Sequence, residues 1–383
     1  MATTFKTLTT DDVTNTRTLL YEQIPLTGTI FSGTYSSSAG ELNILNYSHK
    51  MFQTVYDYPY LSSSANDLFD VTYGISSNSV MAASSQATTD KSKKISIYNQ
   101  MAKTLVGYDS TGSIKLFDYE ASTNPNGNKI SNGFFLTFSR LLVKDEIKKG
   151  SFKMKLGLGQ SDTSRFGLTG TIVDYSGTLN PPGYLTNSPV GDVGLLYISE
   201  SINDQTNFPT NPHNDNCGLI FYQAGVVLLS GQTFQKYSAG VSEFTNMSAS
   251  AYGQLSDGDT FVNYGSSSLG ITALAGTASI DGMANALRRR ISNIEFQNTT
   301  ELNSTIYFLR INNNEFNYSS NPTYLSSSQI RVKNGNPANA PVSYITTAGL
   351  YSPDNELLAV AKLSQPLKKT EEQSMILRVR LDY

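Results

Sequence analysis

Alternation of apolar and polar positions is clearest in the last eighty residues. From Ser374 to Asp382, Met375, Leu377, Val379 and Leu381 fall on one side and Arg378, Arg380 and Asp382 on the other, with Ile376 the exception. A period of two marks a strand with one buried face. Ser304–Ile311 (STIYFLRI), Val342–Tyr351 (VSYITTAGLY) and Leu357–Leu363 (LLAVAKL) are rich in β-branched and aromatic residues and read as strands too. Between the last two lies Ser352-Pro353-Asp354-Asn355-Glu356. Proline presets φ for a type I turn, and Asn355 tolerates the left-handed conformation that closes such a hairpin. These segments are expected to end the chain as an antiparallel meander.

Upstream the pattern is mixed. Val13, Leu19, Leu20 and Ile24 form a loose helical face after Thr10-Asp11-Asp12, and Pro25 stops it, so residues 1–24 read as a short arm and a helix. Ile95, Tyr98, Met101, Ala102 and Leu105 share one helical face, predicting a helix over Ser92–Val106 that Ser92 caps and Gly107 ends. Asp281–Ile291 is a further helix, with Asp281 as cap. Leu68–Ile75, Phe134–Ser139, Ser151–Leu158, Leu168–Tyr175 and Val193–Ile198 read as strands, and Val143–Lys149 as a helical turn ending at Gly150. Leu219–Leu229 reads as a hairpin: both arms are apolar on both faces, so it belongs in the centre of a sheet, with Gly225 as the left-handed loop residue.

The fold class that follows is mainly β with α+β character. Antiparallel sheets form a β-sandwich-like core, with a few short helices and long Ser/Gly-rich loops or arms. The arms are Ser76–Asp90 and Gln235–Ser279. Residues 1–128 form an N-terminal mixed α/β region with arms, 129–234 and 281–383 the β-rich core, and 235–280 an insertion or arm.

Composition adds a second theme. Charged residues are 15% of the 383, well below the roughly 25% of average soluble domains; Ser, Thr, Asn and 23 Tyr carry the polarity instead. Few charges suit a β-rich fold with polar turns, and equally a surface that is buried in an assembly. The 28 basic and 31 acidic residues leave −3, so no net field draws the chain to nucleic acid or to an anionic membrane. Cys217 is the only cysteine, which excludes an intrachain disulfide. Residues 1–6 lack a basic stretch followed by an apolar core, and no apolar run approaches the ~18 residues of a membrane span. Synthesis and folding in a cytoplasm are expected.

Candidate chemistry is sparse. His213-Asn214-Asp215-Asn216-Cys217 gathers a histidine, a carboxylate and a thiol, but a nucleophilic cysteine needs a base in contact, and the spacing matches no catalytic signature. A polar loop entering the buried hairpin is the simpler reading. His49 sits in an aromatic stretch and reads as a packed side chain. Asp257-Gly258-Asp259 supplies far fewer oxygens than calcium needs. There is no phosphate loop and no nucleophile elbow. Arg288-Arg289-Arg290 reads as solvated charge at a helix C-terminus, as a pairing site for acids of another subunit, or as a nucleic-acid contact. No catalytic, cofactor-binding or metal residue is assigned, no cofactor is expected, and the chain is not expected to be an enzyme.

Four phrases carry a resemblance: Val55–Asn66 (VYDYPYLSSSAN), Asn314–Thr323 (NEFNYSSNPT), Ile345–Tyr351 (ITTAGLY) and Asn355–Ser364 (NELLAVAKLS). They resemble virion structural proteins of large tailed bacteriophages, especially marine and cyanobacterial phages with contractile tails. The resemblance implies a virion structural subunit of the tail or baseplate, located in the particle, whose partners are other virion proteins and copies of itself. It implies no nucleic acid, membrane or small-molecule substrate. A receptor-binding or fibre-like module and a capsid, neck or decoration protein are the alternatives. The family brings no catalytic residues.

Overall fold

A computed structural model describes residues 5–25, 43–59, 61–83, 88–119, 129–157, 169–178, 185–199, 216–231, 278–319, 321–327, 329–332, 335–336 and 338–383. It forms two compact units: a small one of Met1–Leu20 with Glu301–Tyr383, and a large one of Tyr21–Thr300. Strands β1 (Val13–Pro25) and β13 (Ile291–Ile311) have residues in both. The fold is mainly β, as the alternation predicts, with few and short helices. Of the arm expected over Gln235–Ser279, all but Ala278 and Ser279 lies outside the described residues.

The large unit holds β2 (Ile44–Asn46), β3 (Gln53–Tyr56), β4 (Asp67–Ile75), β5 (Asn132–Phe138), β6 (Glu146–Ile147), β7 (Lys153–Gly157), β8 (Thr169–Asp174), β9 (Leu185–Ser188), β10 (Gly191–Ser199), β11 (Asn216–Phe221) and β12 (Val226–Ser230). With the first half of β13 they form one antiparallel sheet in the order β13-β7-β8-β10-β11-β12-β5-β4-β3-β2. The apolar runs of β11 and β12 do lie at its centre, because both faces are covered. Phe134, Leu136, Ile220, Val227 and Leu229 enter one core. Their neighbours Phe135, Leu219, Phe221, Val226 and Leu228 enter the other. Helix α1 (Lys91–Leu105) covers the second core with Ile97, Tyr98, Ala102 and Leu105. The first is covered by Met283, Ala284 and Leu287 of the helical segment Ile280–Arg288, and strands from both ends of the sheet enter it: Ile44 and Val55 share it with Ile294 and Phe296, and the Phe138 and Phe296 rings lie 5.1 Å apart. The large antiparallel sheet and its few short helices are the mainly β class that the sequence predicts. Removing one such phenylalanine ring should cost about 3–5 kcal/mol.

Local signals explain most of these elements and correct several expectations. Residues 13–25 are strand β1, not a helix. Val13 and Thr14, Thr16 and Thr18 put β-branched residues along this stretch, and their stiff χ1 favours the pleated backbone. Thr10–Asp12 forms only a 3-10 turn before it. Helix α1 begins at Lys91, just after Asp90, whose φ is +52°, rather than on a Ser92 cap. It ends as expected at Gly107, whose φ is +78° and whose N–H reaches Ala102 O at 3.0 Å. Helix α2 (Arg140–Val143) is one turn upstream of the expected turn, because Lys144 takes a positive φ and Glu146–Ile147 pairs with β13 as β6. Helix α3 (Ile280–Arg288) is capped by Ser279, whose Oγ accepts from Gly282 N at 3.1 Å, and not by Asp281. Part of the expected arm Ser76–Asp90 is packed on its own unit, with Ser76, Ser79 and Met81 buried.

The small unit has two strand systems. β13 carries β1 along one part and β18 (Met375–Asp382) along Ser304–Ile311, in continuous register from Ser304↔Asp382 to Ile311↔Met375. Separately, β16 (Ser343–Tyr351) and β17 (Leu357–Lys369) form a two-stranded hairpin, and β14 (Leu325–Ser326) pairs with β15 (Gln329–Ile330). Asn355 closes the β16–β17 turn at φ +65°, as its sequence implies. The expected meander is corrected. β18 does not continue the hairpin; it pairs with β13, whose run of β-branched and aromatic residues offers eight consecutive partners.

Candidate functional site

The chemistry-bearing residues separate when placed. His213 and Asp215 lie outside the described residues, as do Asp257 and Asp259. Cys217 is the residue bulged out of register between β10 and β11, is 3% exposed, and its Sγ donates to Leu196 O at 3.3 Å. His49 is a surface residue stacked on Tyr47, ring centroids 5.1 Å apart, with its Nδ1 accepting from Met51 N at 3.1 Å. Among the described residues no group of three or more His, Cys, Asp or Glu is placed to hold a metal ion.

The arginine run faces inward. Arg288 and Arg290 are buried in the large unit and Arg289 is half-covered. Arg288 Nη2 donates to Asn285 Oδ1 at 2.9 Å, and Gln53 Nε2 donates to the same oxygen at 2.9 Å. Asn285 therefore joins helix α3 to strand β3, and Arg288 braces it from within the helix. A wholly solvated cluster at the helix end, one of the three readings of this sequence, does not form.

Sequence reasoning missed the most concentrated polar network, around Asp174 at the end of β8. Its Oδ2 accepts from Gly150 N at 2.6 Å and from the Tyr222 hydroxyl at 2.8 Å. Its Oδ1 accepts from Gly177 N at 3.0 Å and Ser176 Oγ at 3.3 Å. Burial pushes the carboxyl above its ordinary value, and the four donors pull it partly back. All four sit on turns or loops of the large unit, so the carboxylate fastens those turns together. A carboxylate saturated with donors is a poor general base. The spacing of these residues along the chain carries no signal that could have found it.

The small unit is where the surface is unusual. Twenty large hydrophobic residues are exposed among those described, and fifteen of them belong to this unit, which spans about a quarter of the chain. Its fully buried hydrophobic side chains are only Ile306 and Ile311 among the described residues. The hairpin is firm at its base. Ser343 and Lys369 pair there and both are buried. Lys369 Nζ donates to Asn317 Oδ1 at 2.7 Å, Asn313 O at 2.9 Å and Thr370 O at 2.7 Å, while Ser343 Oγ donates to Phe316 O at 2.8 Å. Beyond the base, Tyr344, Tyr351, Leu357, Leu358 and Val360 are exposed, Leu358 to 68%. A cleft of about 660 Å³ lies between the hairpin and the β13–β18 pair, lined by Ile345, Ala348, Leu350, Leu309, Ile311 and Leu377. The segment at Phe5 enters it, with the Phe5 ring 4.8 Å from that of Tyr351 and Lys6 Nζ 2.6 Å from Glu315 Oε2.

Exposed apolar area on this scale marks an interaction surface. A two-stranded hairpin is at best marginally stable in water without cover. The arrangement can hold another protein; among the described residues it presents no catalytic constellation. Comparison with protein-family models, with curated proteins and with solved structures returned no significant match.

Proposed function

We propose that this chain is a structural subunit of a bacteriophage virion, a component of the tail or baseplate that works by self-assembly and by bridging neighbouring subunits. The carrying observation is the small unit: fifteen exposed large hydrophobics against two buried ones among its described residues. Such a unit gains its cover from neighbours, and a particle subunit has neighbours throughout its working life. The phrases at Asn314–Thr323, Ile345–Tyr351 and Asn355–Ser364 that resemble phage virion proteins fall in or beside this surface. The low charge supports the same reading, because few ions need desolvating when such surfaces meet. In this reading the chain is not an enzyme and Asp174 is structural.

The test is location. Gold-labelled antibody against the protein should mark the distal end of the tail on intact and contracted particles, and mass spectrometry of purified particles should contain its peptides. Label on the head or collar would replace the tail assignment with a capsid or neck role. Absence from purified particles would overturn the virion reading itself.

A further inference from the structure

The β16–β17 hairpin has two edges of different character. β17 carries Lys362, Pro366 and Lys368, with Pro366 in the bulge that the register opens between Leu367 and Lys362. Proline brings no N–H to a ladder and lysine brings charge, and both are devices that keep an edge strand from pairing. β16 has none of these. Its nine residues, Ser343 to Tyr351, hold no charge and no proline and include two Thr, two Tyr, one Ile and one Leu. One edge of β16 pairs with β17, and no strand among the described residues pairs with the other. The hairpin therefore has one guarded edge and one open edge, the open one made of strand-forming residues.

We infer that β16 pairs antiparallel with β16 of a second copy of this chain, giving a four-stranded sheet in the order β17-β16-β16-β17 about a two-fold axis. This deepens the structural-subunit reading and rests on it, since it names the contact through which copies assemble. Three observations select a second copy. Antiparallel pairing of a strand with itself is the contact a two-fold axis generates, each residue exchanging places with its partner. A strand without charge meets no like charge when it faces its own copy, whatever the register. The small unit as a whole is nearly balanced, with ten Lys and Arg against nine Asp and Glu, so two copies approach without a net repelling field. A foreign strand chosen by charge would find no charge on β16 to read. Pairing also raises the hairpin to four strands, past the size at which a sheet with an apolar face stands by itself. The guarded edge of β17 then ends the sheet and stops further addition.

The experiment uses the full-length protein. Multi-angle light scattering after gel filtration should give a dimer or a multiple of it. Thr347, exposed at the middle of β16, is the probe. Thr347→Asp, which faces Lys362 of its own hairpin and so leaves that pair favourable, should set two like charges near each other across the new ladder and raise the dissociation constant about fivefold. Val360→Lys, on an exposed face of the hairpin rather than on β16, should leave the dimer in place. An unchanged protease cleavage pattern within 301–383, the unit that carries both substitutions, would show that both variants fold. As a second readout, Thr347→Cys offers a single accessible thiol, since Cys217 is buried. A short bismaleimide should then link two copies, and should fail at Val360→Cys. A monomeric wild type, a Thr347→Asp variant that associates normally, or a Thr347→Cys variant that does not cross-link would each overturn the pairing. These outcomes are separable from the virion reading. A protein found in particles but monomeric in solution sinks only the β16 contact, and a dimer absent from particles sinks only the virion role.

Discussion

The Tyr222 hydroxyl donates to Asp174 Oδ2 at 2.8 Å, joining the β11–β12 loop to the end of β8. Gly194 on β10 makes room for that contact: a Cβ there would lie 2.0 Å from the Tyr222 oxygen. Asp174→Ala strands four donors in a buried place, and each has little water to turn to. The expected loss is about 3 kcal/mol at neutral pH, read as a lower urea midpoint, against about 1 kcal/mol for Tyr222→Phe. Burial holds the Asp174 carboxyl above its ordinary 3.8, so the folded state keeps the proton more tightly than the unfolded one. Its contribution is therefore fullest below 3.8 and fades as pH rises through the folded value. An Asp174→Ala penalty that grows steadily from acid to neutral pH would contradict that sign.

Asn303 and Tyr383 exchange both backbone hydrogen bonds, at 3.1 and 2.9 Å. That pair sets the phase of the β13–β18 ladder, because bonded and non-bonded pairs alternate along an unbroken antiparallel register. Tyr307↔Val379 is then a bonded pair and Phe308↔Arg378 is not. Val379→Pro should remove a ladder bond and cost about 2 kcal/mol, whereas Arg378→Pro, whose N–H points to the open side, should cost about half as much or less. Deleting Leu377–Tyr383 removes the partner of most of this segment and should leave the protein insoluble. Equal effects of the two prolines in a thermal melt would show that the ladder has the other phase.

Acid should loosen the small unit. Asp12 accepts from Thr9 N at 3.1 Å and Thr9 Oγ1 at 2.9 Å and is 2.7 Å from Arg310 Nε, and the Thr9 backbone bond above all holds its carboxyl below 3.8. The Lys6 ammonium does the same for Glu315, below 4.5, and the Ser304 hydroxyl with Arg380 for Asp382. A lowered folded value stabilises above the unfolded one and is lost as pH falls through the folded value. Protease cleavage within 301–383 should therefore rise as pH drops below about 4, and Asp12→Asn should blunt the change. A cleavage pattern flat across this range would show that these contacts do not hold the unit.

What the sequence made legible follows from how local each signal is. The hairpin over Leu219–Leu229 is readable because continuous apolar runs need cover on both faces, and Gly225 takes the φ of +64° that its loop requires. Gly107 and Asn355 are readable for the same reason: the special conformation is written in one residue. The segment 13–25 is ambiguous in sequence because its few aliphatic residues suit a helical face while its threonines argue for a strand, and the pairing with β13 decides. The partner of β18 is about seventy residues upstream, and nothing in its alternation distinguishes β13 from β17. The candidate surface was half legible. Alternating apolar residues in β16 look alike whether their own chain covers them or not, but the contrast between uncharged β16 and the Lys362, Pro366 and Lys368 of β17 stands in the sequence.

Cys217 decides between the two meanings of its neighbourhood. It sits at the bulge where β11 shifts against β10, with its Sγ turned to Leu196 O and its side chain in the large core. Glycine follows it because a Cβ at Gly218 would meet Leu228 O at 2.0 Å, so the backbones there are in close contact. A structural cysteine buried in this way is inert. Native protein should thus react with a water-soluble thiol reagent at least about a hundredfold more slowly than protein unfolded in urea, with protection lost at the urea midpoint of the large unit. Rapid, stoichiometric labelling of the native chain at neutral pH would instead place an accessible thiolate beside His213 and Asp215, and would reopen the nucleophile reading that a buried Cys217 argues against.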